Sequence, residues 1–120
     1  MPDLVQVLGR ELRLLVEATA RYGPREWRRT AGAGTRADLV YALVLRLADL
    51  GRLAGSGAPP EAQPPRLGDH ALPDQLTVLG RDLLAALTGA DDPAEPAGRA
   101  LEAVLLTRAG LDGRSPPTGL

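Results

Sequence analysis

Leucine and valine recur at intervals of three and four residues in successive stretches of this chain, the spacing of helices that each bury one face. From Pro2 to Tyr22 the apolar positions are Leu4, Leu8, Leu12, Leu15 and Tyr22, with Val5 and Val16 beside them, while Arg10, Glu11, Arg13, Glu17 and Arg21 carry the polar side. Pro2 suits a first helical turn, Asp3 complements the positive end of the helix dipole, and Gly23-Pro24 stops the helix. The stretch Thr35-Arg36-Ala37-Asp38 has the form of a capping box and starts a second helix that runs to about Ala54. Its apolar residues Leu39, Val40, Leu43, Val44, Leu47, Leu50 and Leu53 leave only a thin polar line through Asp38, Arg46 and Asp49. Such a helix is the most enclosed of the set, or one side of it meets a partner. A third helix spans Pro73 to about Thr88 and buries Leu72, Leu76, Leu79, Leu83 and Leu87. The fourth begins at Asp92-Pro93-Ala94-Glu95, with Asp92 as cap, and ends near Gly110 along the thinner line Ala97, Leu101, Val104 and Leu105.

No run alternates apolar and β-branched residues with polar ones, so the fold class is all-α. Short connections between the first and second helices and between the third and fourth make two antiparallel hairpins, and the simplest pairing is an up-down-up-down four-helix bundle. Residues 1–110 then form one domain. Gly55 to Gly68, with Pro59-Pro60 and Pro64-Pro65, is an exposed proline- and glycine-rich connector, and residues 111–120, with Pro116-Pro117, are a loose tail. The segment from Pro2 to Leu12 is echoed from Pro73 to Leu83, with Pro, Asp, Val, Leu, Gly, Arg and Leu identical at matching places. A duplicated helical hairpin gives such an echo. In the up-down-up-down order the first and third helices lie on a diagonal, with Gly9 and Gly80 at similar heights, each admitting a neighbouring helix closely.

Ile, Asn, Phe, Lys and Cys are absent while Ala, Leu, Gly, Pro and Arg dominate, the mark of codons drawn toward G and C, as in a high-GC bacterium. Because every basic residue but His70 is Arg for that reason, Arg usage alone does not argue for phosphate recognition. The net charge of −1 supplies no global field to steer nucleic acid or an anionic membrane. The apolar run Leu39–Leu45 is far short of the ~20 residues that span a bilayer, and the charges at Asp3, Arg10 and Glu11 break any signal-peptide order. A cytoplasmic protein without membrane contact is the expectation.

Candidate chemistry is sparse. His70 is the only histidine and adjoins Asp69, yet no Ser, Cys or second His stands at a matching helical spacing, so it reads as a loop or capping residue. Ser56 and Ser115 lie in Gly/Pro-rich stretches that cannot hold a nucleophile in one geometry. No Glu-x-x-His occurs, and Glu11, Glu17, Asp38, Asp49, Asp82 and Glu102 fall on polar faces, so neither a metal nor another cofactor is called for. The densest charge is Arg21, Arg25, Arg28, Arg29 and Arg36 around Trp27. The up-down-up-down order puts this connection at the same end as Asp91, Asp92 and Glu95, which neutralise it while Trp27 caps the core.

The order of a first helix, a turn with Trp27 and Thr30, and a second helix capped by Thr35 resembles the start of the DinB and mycothiol-dependent maleylpyruvate isomerase group. That resemblance covers residues 1–54 and implies a four-helix bundle binding a divalent metal through three histidines. The first ligand falls about two turns into the second helix, where this chain has Leu43, and the other two have no counterpart. Without them the resemblance carries the fold and not the metal chemistry.

These observations favour a non-enzymatic bundle acting by self-association or by binding a partner protein, through the broad apolar surface of the second helix or the thinly covered fourth. The alternative is a metal-free ligand-binding bundle or degenerate DinB-like enzyme whose pocket is lined by Tyr41, Trp27 and His70. Nucleic-acid binding through the Arg/Trp connection 21–36, with Trp27, Arg25, Arg28 and Arg29 in contact, ranks third.

Overall fold

The computed structural model describes residues 3–57 and 63–113. Four long helices dominate it: α1 (Leu4–Ala20), α3 (Arg36–Leu53), α4 (Leu72–Thr88) and α5 (Ala94–Leu111). Between α1 and α3 lie a short helix α2 (Pro24–Arg28) and two short strands, β1 (Thr30–Ala31) and β2 (Gly34–Thr35), and a 3-10 turn at Asp69–Ala71 leads into α4. The mostly helical class therefore matches the sequence reading, while α2 and the strand pair were not foreseen. The strands pair antiparallel across the two-residue loop Gly32-Ala33. Gly32 has φ 61° and Ala33 a negative φ, the pattern of a tight hairpin turn that needs glycine at its first central position. A ladder this short gives no period-2 signal for a sequence to display.

Helix starts follow local chemistry. Asp3, read as complementing the dipole of α1, is its cap, and its carboxylate accepts a hydrogen bond from the Val5 N–H at 3.0 Å; Pro2 lies outside the described residues. The box at Thr35 and Asp38 forms as read: Asp38 N–H donates to the Thr35 hydroxyl at 3.1 Å, and Thr35 N–H to the Asp38 carboxylate at 2.9 Å. At α5 the reading is corrected by one residue, since Pro93 occupies the cap position and no side chain caps the helix. Proline has no side-chain acceptor, and its fixed φ places it where the helix turns in.

Each of α1 and α3 packs against both α4 and α5. Their directions follow from the residues that meet. A methyl group at Gly9 would lie 3.7 Å from Leu84, and one at Gly80 would lie 3.3 Å from Leu12, so α1 and α4 are antiparallel. Gly51 of α3 lies beside Leu83 of α4, and Tyr41 and Gln75 bind the consecutive carbonyls of Pro64 and Pro65, so α3 and α4 are parallel. Gly110 meets Leu39 and Arg36 reaches the Leu111 carbonyl, so α3 and α5 are antiparallel. The bundle thus runs up, down, down, up. This corrects the up-down-up-down expectation and the diagonal placement of α1 and α4, which are in fact neighbours. The connector after α3 returns the chain along the bundle before α4 begins, the arrangement of bundles with one long crossover.

The core is Leu-, Val- and Ala-lined: Leu8, Leu12 and Leu15 from α1, Val40, Leu43, Val44, Leu47 and Leu50 from α3, Leu72, Leu76, Leu83 and Leu87 from α4, and Ala97, Ala100 and Val104 from α5. The wide apolar surface of α3 is used within the molecule, since α4 and α5 cover it and Val40, Val44 and Leu47 are fully buried. The narrow α5 line holds small residues, which lets its backbone come close. Thr19 and Thr107, buried among them, return their hydroxyls to carbonyls of their own helices.

Gly9 and Gly80 share a sequence context and differ in space. Gly9→Ala should stabilise the fold by roughly 0.5–1 kcal/mol by removing a mid-helix glycine, because 3.7 Å is ordinary contact. Gly80→Ala, pressed at 3.3 Å against buried Leu12, should give less than half that gain or a loss. Urea unfolding of the two variants measures the difference.

Candidate functional site: an arginine lobe and a distant acidic cleft

Residues 21–31 form a lobe on the end of the bundle where α1 and α5 finish and α3 and α4 start. Gly23 N–H donates to the Glu26 carboxylate at 2.7 Å, and Pro24 opens α2, so the turn that begins the lobe is closed locally. Trp27 is 2% exposed and meets the Tyr22 ring edge-on, with centroids 4.9 Å apart and planes at 78°. Arg36 lies over the other aromatic of the pair, 5.1 Å from the centre of the Tyr22 ring, and donates to the Leu111 carbonyl at 3.0 Å. That bond satisfies a terminal carbonyl of α5. Trp27 therefore caps the core, as read from the sequence.

The arginines do not behave as read. Arg21, Arg25, Arg28 and Arg29 are exposed and form no ion pair with the described residues. Glu26, the one acid in the sequence between Arg21 and Arg29, is engaged by the Gly23 N–H. Asp91, Asp92 and Glu95 sit at the opposite end, because the crossover carries the start of α5 to where α3 ends. There Asp92, Glu95 and Arg99 line a cleft of about 420 Å³ with Leu50, Leu53, Ala54, Ala90 and Pro96. Leu53 is 74% exposed, the most exposed of the large apolar side chains described. Glu95 pairs with Arg99 at 2.9 Å, while Asp91 and Asp92 are exposed without an ion pair among the described residues.

Tyr41 and His70 are not brought together with Trp27. The Tyr41 hydroxyl donates to the Pro64 carbonyl at 2.6 Å, and Gln75 Nε2 donates to the Pro65 carbonyl at 2.9 Å, so the two side chains tie down the end of the connector. Arg66 stacks 4.9 Å over the Tyr41 ring and bonds Asp38 at 3.1 Å, with Asp69 at 3.9 Å. The connector is exposed as read at 55–57, 63 and 65–68, and is in addition held in place over 64–66; Pro59-Pro60 and the tail prolines lie outside the described residues. His70 is exposed in the 3-10 turn, its ring seated against Gly68, where a methyl group would meet it at 2.8 Å. Leu43, at the place the DinB resemblance assigns to a ligand, is buried in the core. Among the described residues no group of three His, Cys, Asp or Glu side chains could hold a metal ion, and no helix is long and apolar enough to cross a membrane.

The residues that sequence reasoning missed are Arg66, Gln75 and the acidic cleft. Gln75 had a signal: it stands where the echoed segment has Leu4, an apolar place in one copy turned polar in the other. Its Oε1 is buried without a partner among the described residues. Proline supplies no N–H, so the strap can accept from this amide and cannot donate to it from Pro64 or Pro65. Comparison with protein-family models, with curated proteins and with solved structures finds no match to this chain.

Two measurements follow. Trp27→Ala should cost about 3–5 kcal/mol in chemical unfolding, because it empties the space under the lobe. Asp38 is held below the usual carboxylate range, first by the Thr35 N–H and then by Arg66 and the Thr35 hydroxyl. A carboxyl whose pKa is lower folded than unfolded adds stability that is complete above its unfolded value of 3.8 and fades as pH falls through the lower folded value. The stability gap between wild type and Asp38→Asn should therefore be constant near neutrality and shrink in acid, starting below about pH 5.

Proposed function

We propose that this chain is a non-catalytic helical bundle that works by binding an acidic protein surface through the arginine lobe. One observation carries the reading: Arg21, Arg25, Arg28 and Arg29 are exposed and free of ion pairs on a segment fixed by a buried tryptophan. Side chains that stabilise a fold are normally answered within it, as Arg36, Arg66 and Arg108 are. Arg10, Arg13, Arg46 and Arg81 are also exposed without an ion pair among the described residues, but they are spread over the long helices. The four of the lobe share one short segment and are spared much of the ordering cost of binding in their backbone, because α2 is anchored from below. Arginine presents a planar fork that takes a carboxylate with two hydrogen bonds, and on a rigid lobe that geometry gives selectivity.

The pocket reading has less support, since Tyr41 and Trp27 are committed to Pro64 and Tyr22. The nucleic-acid reading has a net charge of −1 against it, and of the arginines outside the lobe Arg99 and Arg108 are each paired with a glutamate. The resemblance to the DinB group remains a proposal about ancestry and supplies no residue to either reading.

The test uses labelled poly-L-glutamate and a single-stranded oligonucleotide of matched charge. Wild type should bind polyglutamate at low ionic strength, and Arg25→Gln/Arg28→Gln/Arg29→Gln should weaken that binding at least ten-fold while unfolding at the same denaturant concentration. Equal affinity for the oligonucleotide would hand the lobe to nucleic acid. Binding to polyglutamate that ignores the three substitutions would overturn the proposal.

A further inference from the structure

The arginine lobe and the Leu53 cleft are complementary, and both belong to the same chain. They stand at opposite ends of helices of 17 or 18 residues, a separation of about 25 Å. The Debye length at physiological ionic strength is ~8 Å, so neither end neutralises the other within one molecule. The cleft combines an apolar floor, with Leu53 standing out of it, and a rim that carries Asp92, Glu95 and Arg99, with Asp91 beside them; Arg99 answers Glu95 at 2.9 Å, so the excess negative charge is that of Asp91 and Asp92. The lobe end combines free arginines with Leu67, itself 49% exposed, on the connector that enters the 3-10 turn packed against α2. Apolar surface flanked by opposite charge is thus present on both sides of one possible contact.

Deepening the association reading above and resting on it, we infer that the acidic partner of the lobe is a second copy of this chain, joined end to end through its Leu53 cleft. The contact is heterologous: the lobe of one copy meets the cleft of the next, leaving a lobe and a cleft free at the two ends of the pair. It does not close on itself, so assembly continues as a chain of copies. Since the rim charges are exposed, the contact weakens as salt is raised.

Light scattering and sedimentation across a concentration series at low ionic strength test this directly. Wild type should grow through dimers to larger species, and added salt should return it to monomer. The lobe variant Arg25→Gln/Arg28→Gln/Arg29→Gln and the cleft variant Asp92→Asn/Glu95→Gln should each remain monomeric. Mixed, the two should form a one-to-one pair that grows no further, because the intact lobe of one fits the intact cleft of the other and nothing remains to extend. A wild type that stays monomeric, a dimer that never grows, or a cleft variant that assembles like wild type would each overturn the inference. Polyglutamate binding by a strictly monomeric wild type would leave the lobe's broader role standing, whereas loss of both would end the two readings together.

Discussion

The contact between α1 and α4 is the constraint from which the remaining arrangement follows. Gly9 and Gly80 remove side chains where the two antiparallel helices approach, so that Leu84 and Leu12 fill the space each glycine leaves. Once α1 takes α4 as a neighbour, the helix that follows α1 in each hairpin is pushed across the bundle. α3 packs on α4 and α5, α5 packs on α1 and α3, and neither hairpin buries its own apolar faces. Each half of the chain supplies the surface on which the other half closes. The parallel course of α3 and α4 then requires the long proline-bearing return, which Tyr41, Gln75 and Arg66 hold against the helices at its end.

Charge placement is a result of the same topology. In an up-down-up-down order the two short connections share an end, and the arginines of the first would face the carboxylates of the second. In the observed order they are a helix length apart. The electrostatics that a sequence shows as a nearly neutral total, −1, is resolved in space into a lobe of arginines without ion pairs among the described residues and a distant rim where only Glu95 is answered, by Arg99. This is why the arginine cluster, answered by carboxylates in one topology, is left exposed in the other.

The helices were legible because their signals are local. Apolar spacing placed all four, the Thr35–Asp38 box fixed the start of α3 to the residue, and Gly89 and Gly110 marked the ends of α4 and α5 to within one or two positions. The short α2 and the strand pair were hidden because five helical and four strand residues are too few for a period. Helix order was hidden for a different reason: which faces meet is decided by contacts such as Gly80 with Leu12, and a leucine looks the same in sequence whichever helix it meets. Of the candidate site residues, Trp27 was rightly read as a core cap, whereas the freedom of Arg25, Arg28 and Arg29 depended on where Asp91 and Asp92 went, which is a long-range fact.

The directions and neighbours of the four long helices have the symmetry of a two-fold axis normal to the bundle, carrying α1 onto α4 and α3 onto α5. It is the same exchange that the echoed segments Pro2–Leu12 and Pro73–Leu83 express in sequence. A lone hairpin of this kind could not shelter its leucines, but twinned with a copy of itself it would enclose the whole interior. Cut between α3 and α4, either half would be left with its leucine faces open to water, so the two halves stand or fall together.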